Sequence, residues 1–278
     1  MTKIFLTAAL VLLAGCSSGP PPPRSGTPEY YFATALDNYN KGDYAKADDW
    51  LAKMAKSESE IANKTRVWRL VLQGGRMQGL RELADYYEFG ARANKDKPGP
   101  FHKKVADYRN AAAALSMELA ETYDGFVKAS PSGDVALHFP FPPRGSLGRP
   151  PAMTRIGAGQ LPSQADIETT AAQMVERGIV STAAEFAGAG GDAAKAQAAY
   201  KATPATAPRA ALQLAAAKLL YEASAIFGSK KRNDPPRQEF LLKRVKTALA
   251  EADKSAKEAK ELELRIKADE QDIAKRKK

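Results

Sequence analysis

Four polar side chains between residues 66 and 76 have the types and the spacing to bind an anion. They are Arg66, Arg69, Gln73 and Arg76. Steps of three or four residues place all four on one face of a helix, with Trp68 and Leu72 on the opposite face. Guanidinium groups bind carboxylates through paired hydrogen bonds, so the pattern indicates a site for an acidic peptide or an exposed carboxyl terminus. A solvated charged face is the alternative interpretation.

Known catalytic and metal-binding patterns are not found in the sequence. It contains no G-x-S-x-G, no H-E-x-x-H and no phosphate-binding glycine loop. His102 begins a charged helical stretch and His138 lies in a proline-rich segment. Neither has the further histidine, cysteine or clustered acidic residues nearby in the sequence that a metal site needs. Acidic residues lie mostly on helical faces, as solvated side chains do, although two carboxylates in a cleft remain a catalytic alternative. The sequence therefore predicts a protein that is not an enzyme and binds no cofactor.

A short apolar segment at the start of the chain predicts export. Lys3 precedes an apolar run that ends at Leu13, which is the order of a secretory signal. The run is shorter than the roughly 20 residues that span a bilayer. The run's last residue and the three that follow it form the sequence Leu13-Ala14-Gly15-Cys16. This sequence resembles the lipobox of bacterial lipoproteins. The resemblance implies removal of a signal peptide, residues 1–15, and attachment to a membrane through acylated Cys16.

Residues 16–28 predict a lipidated tether. Pro20 to Pro23 are consecutive prolines, which favour an extended spacer of about 3.1 Å per residue. In Gram-negative lipoproteins, an aspartate directly after the cysteine resembles an inner-membrane retention signal, and here Ser17 and Ser18 follow instead. We therefore expect the periplasmic side of the outer membrane, while the inner membrane and a cell surface stay open.

The chain is strongly basic. Its formal net charge is +10, with an isoelectric point near 9.5, and loss of Lys3 with the signal leaves 10 − 1 = +9. Such a charge favours anionic neighbours, namely lipid head groups, lipopolysaccharide, cell-wall polymers or acidic proteins. Nucleic acid fits the charge but not the compartment. Acylation of the single cysteine excludes disulfides, so packing must hold the fold.

Residues 29–129 predict an N-terminal helical domain that begins with a hairpin. Apolar residues at helical spacing flank Gly42, and Asp43 suits the N-cap of the second helix. Six positions resemble the tetratricopeptide repeat: Ala35, Gly42, Asp43, Tyr44, Ala47 and Met54. A second unit resembles it through Trp68, Gly79, Ala84 and Ala91, and a third echo lies at residues 191–196, followed by Tyr200.

This resemblance implies an all-α fold of helical hairpins in a tetratricopeptide-like α-solenoid, with generic helical hairpins as the alternative. In that family the concave groove binds partners. The groove positions of the first unit include Phe32, Tyr39 and Asn40. Together with the four polar residues of the second unit, they form the predicted partner-binding set.

The rest of the chain also predicts mainly helices. Residues 101–128 show one long helical stripe, and residues 163–228 predict a C-terminal helical region with Ser163 as an N-cap. Residues 130–162 predict a proline-rich loop, either a connector or a partner-binding loop that presents Phe139 and Phe141. Residues 237–278 predict one long charged helix with an apolar seven-residue repeat, either a cap on the body or a coiled-coil element.

The function predicted from these features is that of a membrane-anchored envelope lipoprotein that acts as a protein-protein interaction scaffold. Its partner would be another envelope protein. The alternative is a basic structural lipoprotein that binds cell wall or lipopolysaccharide through its charge.

Overall fold

The structure is a computed structural model that describes residues 23–57, 59–129, 133–137, 140–142, 148–190, 192–201, 205–254 and 256–277. The helices are α1 (Pro28–Asn40), α2 (Tyr44–Met54), α3 (Glu60–Lys64), α4 (Arg66–Ala93), α5 (Gly99–Ala129), α6 (Pro151–Gly157), α7 (Gln164–Phe186), α8 (Ala193–Lys201), α9 (Arg209–Ala225), α10 (Pro235–Glu251) and α11 (Lys257–Arg276). Two short strands, β1 (Val135–Ala136) and β2 (Thr206–Ala207), pair antiparallel. The predicted all-α fold is confirmed.

The predicted N-terminal hairpin is present as α1 and α2. Gly42 has a φ of +81° in the turn, a conformation that favours glycine. The side chain of Asp43 then accepts a hydrogen bond from the Lys46 amide at 3.2 Å and caps α2. Tyr39 and Tyr44 pack edge to face across the turn, with ring centroids 5.4 Å apart. Local turn and capping chemistry therefore suffices to explain this element.

The predicted second hairpin is wrong, because α4 runs without a turn through Gly79. Glycines serve there as points of close helix approach. A methyl group on Gly75 would overlap the backbone of Ile179 in α7, and one on Gly79 would overlap the backbone of Met174. Gly178 of α7 lies directly against the Gly75 carbonyl. Each glycine in a helix costs about 1 kcal/mol relative to alanine, and the close crossing of α4 and α7 offsets it.

Helix α4 is the central element of the fold. It packs antiparallel against α5 and α7, and α2, α6 and α9 also contact it. The main core surrounds its first half, where Trp68 and Leu72 are fully buried. A second, smaller core surrounds its last half and joins α4 to α5, α6 and α7 through Tyr87, Phe101 and Ile156. The described helices thus pack around one long helix, and a regular tetratricopeptide-like solenoid is not confirmed.

The proline-rich region is partly structured. It contains β1, which pairs with β2 ahead of α9, and α6, which packs on the second core. Phe141 contacts Tyr200 of α8, with ring centroids 5.6 Å apart. His138, Phe139 and Gly191 lie outside the described residues, so the predictions that involve them stay predictions. The predicted C-terminal helical region begins with α7, and Ser163 caps this helix as predicted.

The single C-terminal helix predicted for residues 237–278 is also wrong. Helix α10 ends at Glu251, and the backbone of the next residue, Ala252, is extended, with φ −78° and ψ 165°. Helix α11 then returns along α10, held by an ion pair between Lys246 and Glu270 at 2.7 Å. Its apolar residues Leu262 and Ile266 are buried within this chain. The seven-residue apolar repeat is therefore used inside the protein, as the capping alternative expected.

Candidate functional site

Three of the predicted anion-binding side chains surround a carboxylate of their own chain. Arg69 Nε donates to Asp48 Oδ1 at 3.0 Å, and Gln73 Nε2 donates to Asp48 Oδ2 at 3.1 Å. Arg76 adds a longer contact to Asp48 Oδ2 at 3.5 Å. The predicted chemistry, guanidinium groups on a carboxylate, is present, but the carboxylate belongs to α2.

Asp48 was missed as a site residue, although the sequence contains a signal for it. It follows Ala47 directly and lies four residues after Tyr44, on the buried face of α2. A carboxylate in an apolar stripe must find donors, because an unpaired buried charge costs several kcal/mol. The Asp48 side chain is only 4% exposed. Asp48, Arg69, Gln73 and Arg76 therefore form a buried polar network, here called the Asp48 network, that joins α2 to α4.

Glu118 of α5 lies beside the Asp48 network and titrates abnormally. Partial loss of hydration, and after it the negative charge of Asp48, raise the pKa of Glu118, while Arg76 and Arg69 oppose the shift. Two carboxyl groups in different environments are a pattern seen in acid-base catalysis. Asp48 is enclosed by its donors, however, so the arrangement joins helices and leaves no carboxylate pair open to a substrate.

The other members of the predicted partner-binding set have separate surroundings. Arg66 donates to the side chain of Asn63 at 3.2 Å. Tyr39 is fully buried, and its hydroxyl group donates to the Pro140 carbonyl at 2.7 Å. Phe32 packs edge-on against Trp68, and Asn40 is exposed. The structure does not bring these residues together as one open groove, and their partner-binding role stays a prediction.

A different surface exposes apolar and cationic groups together. It comprises Tyr86, Phe89 and Arg92 on the last turns of α4, Arg149 over the Tyr86 ring, and Leu161 in the segment between α6 and α7, and we call it the distal surface. Phe89 is 51% exposed and Leu161 is 44% exposed. Exposed large apolar side chains that lie together commonly mark interaction sites.

Rings and guanidinium groups are stacked along the distal surface. The Tyr86 and Phe89 rings pack edge to face, with centroids 6.0 Å apart. Arg92 lies 5.8 Å from the Phe89 ring centre, and Arg149 lies 5.1 Å from the Tyr86 ring centre. Cation-π contacts of this kind order arginine side chains at a surface. Both arginines remain more than half exposed, although Glu88 and Glu82 also pair with them.

The period of α4 places these residues outward. Leu83, Tyr87 and Ala91 point into the second core, so Phe89 and Arg92 on the other side of the helix face solvent. Asn94 then donates its side-chain amide to the Gly159 carbonyl at 3.0 Å. This bond holds the segment between α6 and α7 against the end of α4 and brings Leu161 to the same end of the molecule.

Free positive charge surrounds this end of the molecule. Lys95, Lys97 and Lys103 are exposed with one acid, Asp96, among them, and none of the four forms an ion pair with any residue that the structure describes. Many cations elsewhere are matched by carboxylates: Arg109 pairs with Glu88, and Lys231 pairs with Asp85. The distal surface is therefore an apolar centre with a positive margin.

The groove between the last two helices carries charges of both signs. A groove of about 300 Å³ lies between α10 and α11, with Leu249 and Ile266 at its base. Lysines and glutamates alternate along its edges, and the ion pair of Lys246 and Glu270 crosses it. Neither an apolar pocket nor a one-sided charge distinguishes this groove as a ligand site.

Cys16 and residues 17–22 of the tether lie outside the described residues, so lipidation stays a prediction. Among the residues that the structure does describe, no helix combines the length and the apolar character needed to cross a bilayer. The same part of the chain contains no group of three or more histidine, cysteine or acidic side chains placed to hold a metal ion. Compared with known proteins, the chain matches no family model, no curated protein and no solved structure.

Proposed function

We propose that this protein is a lipid-anchored envelope protein whose helical body binds a protein partner through the distal surface. The observation that carries the proposal is Phe89, a large aromatic side chain that is 51% exposed and has Arg92 beside its ring. The lipobox-like sequence before Cys16 supports the location. No catalytic arrangement enters this proposal, and binding is the whole of the activity that it assigns.

The tether and the distal surface are at different places along α4. The chain enters the described fold just before α1, and Phe32 of α1 packs on Trp68 with ring centroids 5.7 Å apart. Phe89 follows Trp68 by 21 residues on the same helix, a separation of about 32 Å at 1.5 Å per residue. A body attached at the α1 side can therefore present the distal surface away from its attachment.

The chemistry of the distal surface specifies the kind of partner. A protruding aromatic ring fits a complementary apolar pocket, and such a buried ring commonly dominates the binding energy. The exposed arginines and lysines around it favour acidic side chains on the partner and speed the encounter. The expected partner is thus an envelope protein with an apolar pocket and an acidic margin.

A second function has its own observation in favour. Lys95, Lys97 and Lys103 are exposed cations without carboxylate partners in the described structure, which suits an anionic cell-wall polymer or lipopolysaccharide. Binding of that kind depends on summed charge, so it weakens steeply with salt and tolerates any single apolar substitution. Binding by Phe89 in a pocket survives moderate salt and does not tolerate loss of the ring.

The test is crosslinking and pull-down from envelope membranes with the intact protein, followed by mass spectrometry. The Phe89→Ser variant is compared with Leu264→Ser, a matched control because Leu264 is 67% exposed on α11 and lies outside the distal surface. We expect one defined protein with wild type and with Leu264→Ser, and its loss with Phe89→Ser. Equal recovery by both variants, or recovery of wall material alone, would overturn the proposal.

A further inference from the structure

Aromatic side chains also cluster where the chain enters the fold from the tether. Tyr30 and Tyr31 lie in the first turn of α1, and Trp50 lies beside them on α2. The Tyr31 and Trp50 rings stack with centroids 5.9 Å apart, and Tyr30 meets Trp50 edge-on at 6.0 Å. Lys53 places its ammonium group 3.7 Å from the centre of the Trp50 ring. We call these four residues the proximal cluster.

The proximal cluster is amphipathic. Its three rings are half-buried, and Lys53 is exposed. The inner sides of Tyr31 and Trp50 pack against the main core, while part of each ring stays at the surface. Tyrosine and tryptophan side chains with one buried side and a polar tip are enriched where proteins meet the head-group region of a bilayer. Lysine beside them lets its ammonium group reach lipid phosphates.

We infer that the proximal cluster rests in the head-group region of the bilayer that holds Cys16. The inference deepens the proposed function and rests on it for the lipid anchor. It orients the body so that the α1 side faces the membrane and the distal surface, about 32 Å farther along α4, faces the partner.

The length of the tether brings the cluster to the membrane. Twelve residues, 16–27, separate the acylated position from the start of α1. Even fully extended, at about 3.6 Å per residue, they reach at most about 43 Å. Tethering over so short a distance gives an effective concentration in the millimolar range, so a weak contact is enough to hold one orientation. The proximal cluster follows the tether directly, so its rings are among the first that can reach the bilayer.

Local charge neither supplies nor prevents this contact. Glu29 and Asp49, next to the aromatic residues in the sequence, are exposed, as are Lys53 near the end of α2 and Lys56 just after that helix. Two acids and two lysines nearly cancel, so the aromatic rings provide the affinity. The contact should therefore persist in high salt and on vesicles of neutral lipid, unlike the binding of a polybasic patch.

The two tryptophans of the chain make the contact measurable. Trp68 is fully buried in the core, and Trp50 is in the proximal cluster. The full-length lipoprotein, extracted from membranes, is reconstituted into phosphatidylcholine vesicles with and without brominated acyl chains near the head groups. Bromine quenches only nearby indoles, so we expect loss of the Trp50 share of the emission and no loss of the Trp68 share.

Three variants assign the signal. Trp50→Phe should float with the vesicles and show no quenching. Tyr30→Ser combined with Tyr31→Ser should float, keep the Trp68 emission of a folded core and lose most of the quenching of Trp50. Leu264→Ser, on the far helix α11, should behave as wild type. These patterns should be the same in low and high salt.

The outcomes separate this inference from the proposed function. A protein that floats with vesicles and carries the acyl mass on Cys16 but shows no quenching of Trp50 overturns the inference and leaves the anchor in place. A protein that neither floats nor carries acyl chains overturns both. The wild-type measurement decides between these outcomes even if the double tyrosine variant fails to fold.

Discussion

The Asp48 network makes Arg69 a stability residue. If Arg69 served only to bind a partner, Arg69→Ala would remove that contact and leave the fold unchanged. In the structure it removes a charged hydrogen bond from Asp48, whose side chain is 4% exposed, while the Arg69 side chain is itself only 16% exposed. A hydrogen bond to a charged group contributes about 1.5–3 kcal/mol. We therefore expect Arg69→Ala to lower the free energy of unfolding by about 2 kcal/mol.

Asp48→Ala should cost more, about 3 kcal/mol, because it leaves Arg69, Gln73 and Arg76 without their shared acceptor. The double variant Asp48→Ala with Arg69→Ala should cost less than the sum of the single variants, since one interaction cannot be lost twice. The expected coupling between the two positions is about 1–2 kcal/mol.

Urea unfolding followed by circular dichroism measures all three variants, with the dependence on urea concentration compared to confirm a common transition. Lys218→Ala is a useful control, because Lys218 of α9 pairs with Glu185 of α7, and neither residue belongs to the Asp48 network. It should show no coupling with Asp48→Ala. The structural role would be refuted if the losses of unfolding free energy for Asp48→Ala and Arg69→Ala were additive, or if Arg69→Ala lost less than about 0.5 kcal/mol. Either result would favour the partner-binding hypothesis.

Three further predictions concern packing and charge. Gly75→Ala should destabilise the protein by about 2–3 kcal/mol despite its gain in helix propensity, whereas Gly99→Ala, with nothing within 4 Å of the added methyl group, should change thermal stability by less than about 1 kcal/mol. The raised pKa of Glu118 means that the folded state holds this proton more tightly, so its contribution to the free energy of unfolding falls as pH rises above the ordinary range near 4.5. Glu118→Gln should thus stabilise the protein at pH 7, by less than about 1 kcal/mol because the side chain is exposed. It should have no effect at a pH below the Glu118 pKa of both the folded and the unfolded state. Ile266→Ala on α11 should cost about 2–4 kcal/mol, and Lys246→Ala, which removes only an exposed ion pair, should cost less than about 0.5 kcal/mol; equal effects would contradict the docked position of α11.

Much of the helical content was predictable because its causes are local. The apolar period, the Gly42 turn and the Asp43 cap lie within a few residues of one another, and the observed α1 and α2 follow from them. Ser163 is an equally local signal for the start of α7. The turn predicted at Gly79 was wrong, because a glycine can mark either a turn or a close approach of two helices. The partners that decide between the two, Met174 and Gly178, lie about a hundred residues further along the chain.

The prediction of a single C-terminal helix was wrong for a related reason. The apolar repeat continues across the break after Glu251 with charges on either side, so periodicity alone describes one helix as well as two. The buried positions of Leu262 and Ile266 against the rest of the chain favour the folded-back arrangement. Burial of apolar area stabilises the return of α11, and no local signal encodes that area.

For the candidate site, the sequence by itself determined that Arg69, Gln73 and Arg76 share one face of a helix and that their chemistry suits a carboxylate. Only the tertiary structure decided which carboxylate, because the approach of α2 to α4 depends on the packing of both helices and of α5 behind them. The tertiary structure likewise decided that Phe89 stays exposed, since the second core takes up the opposite face of α4. Residue types and spacings set what each helix can bind, and the contacts between helices determine which of those binding groups remain for another molecule.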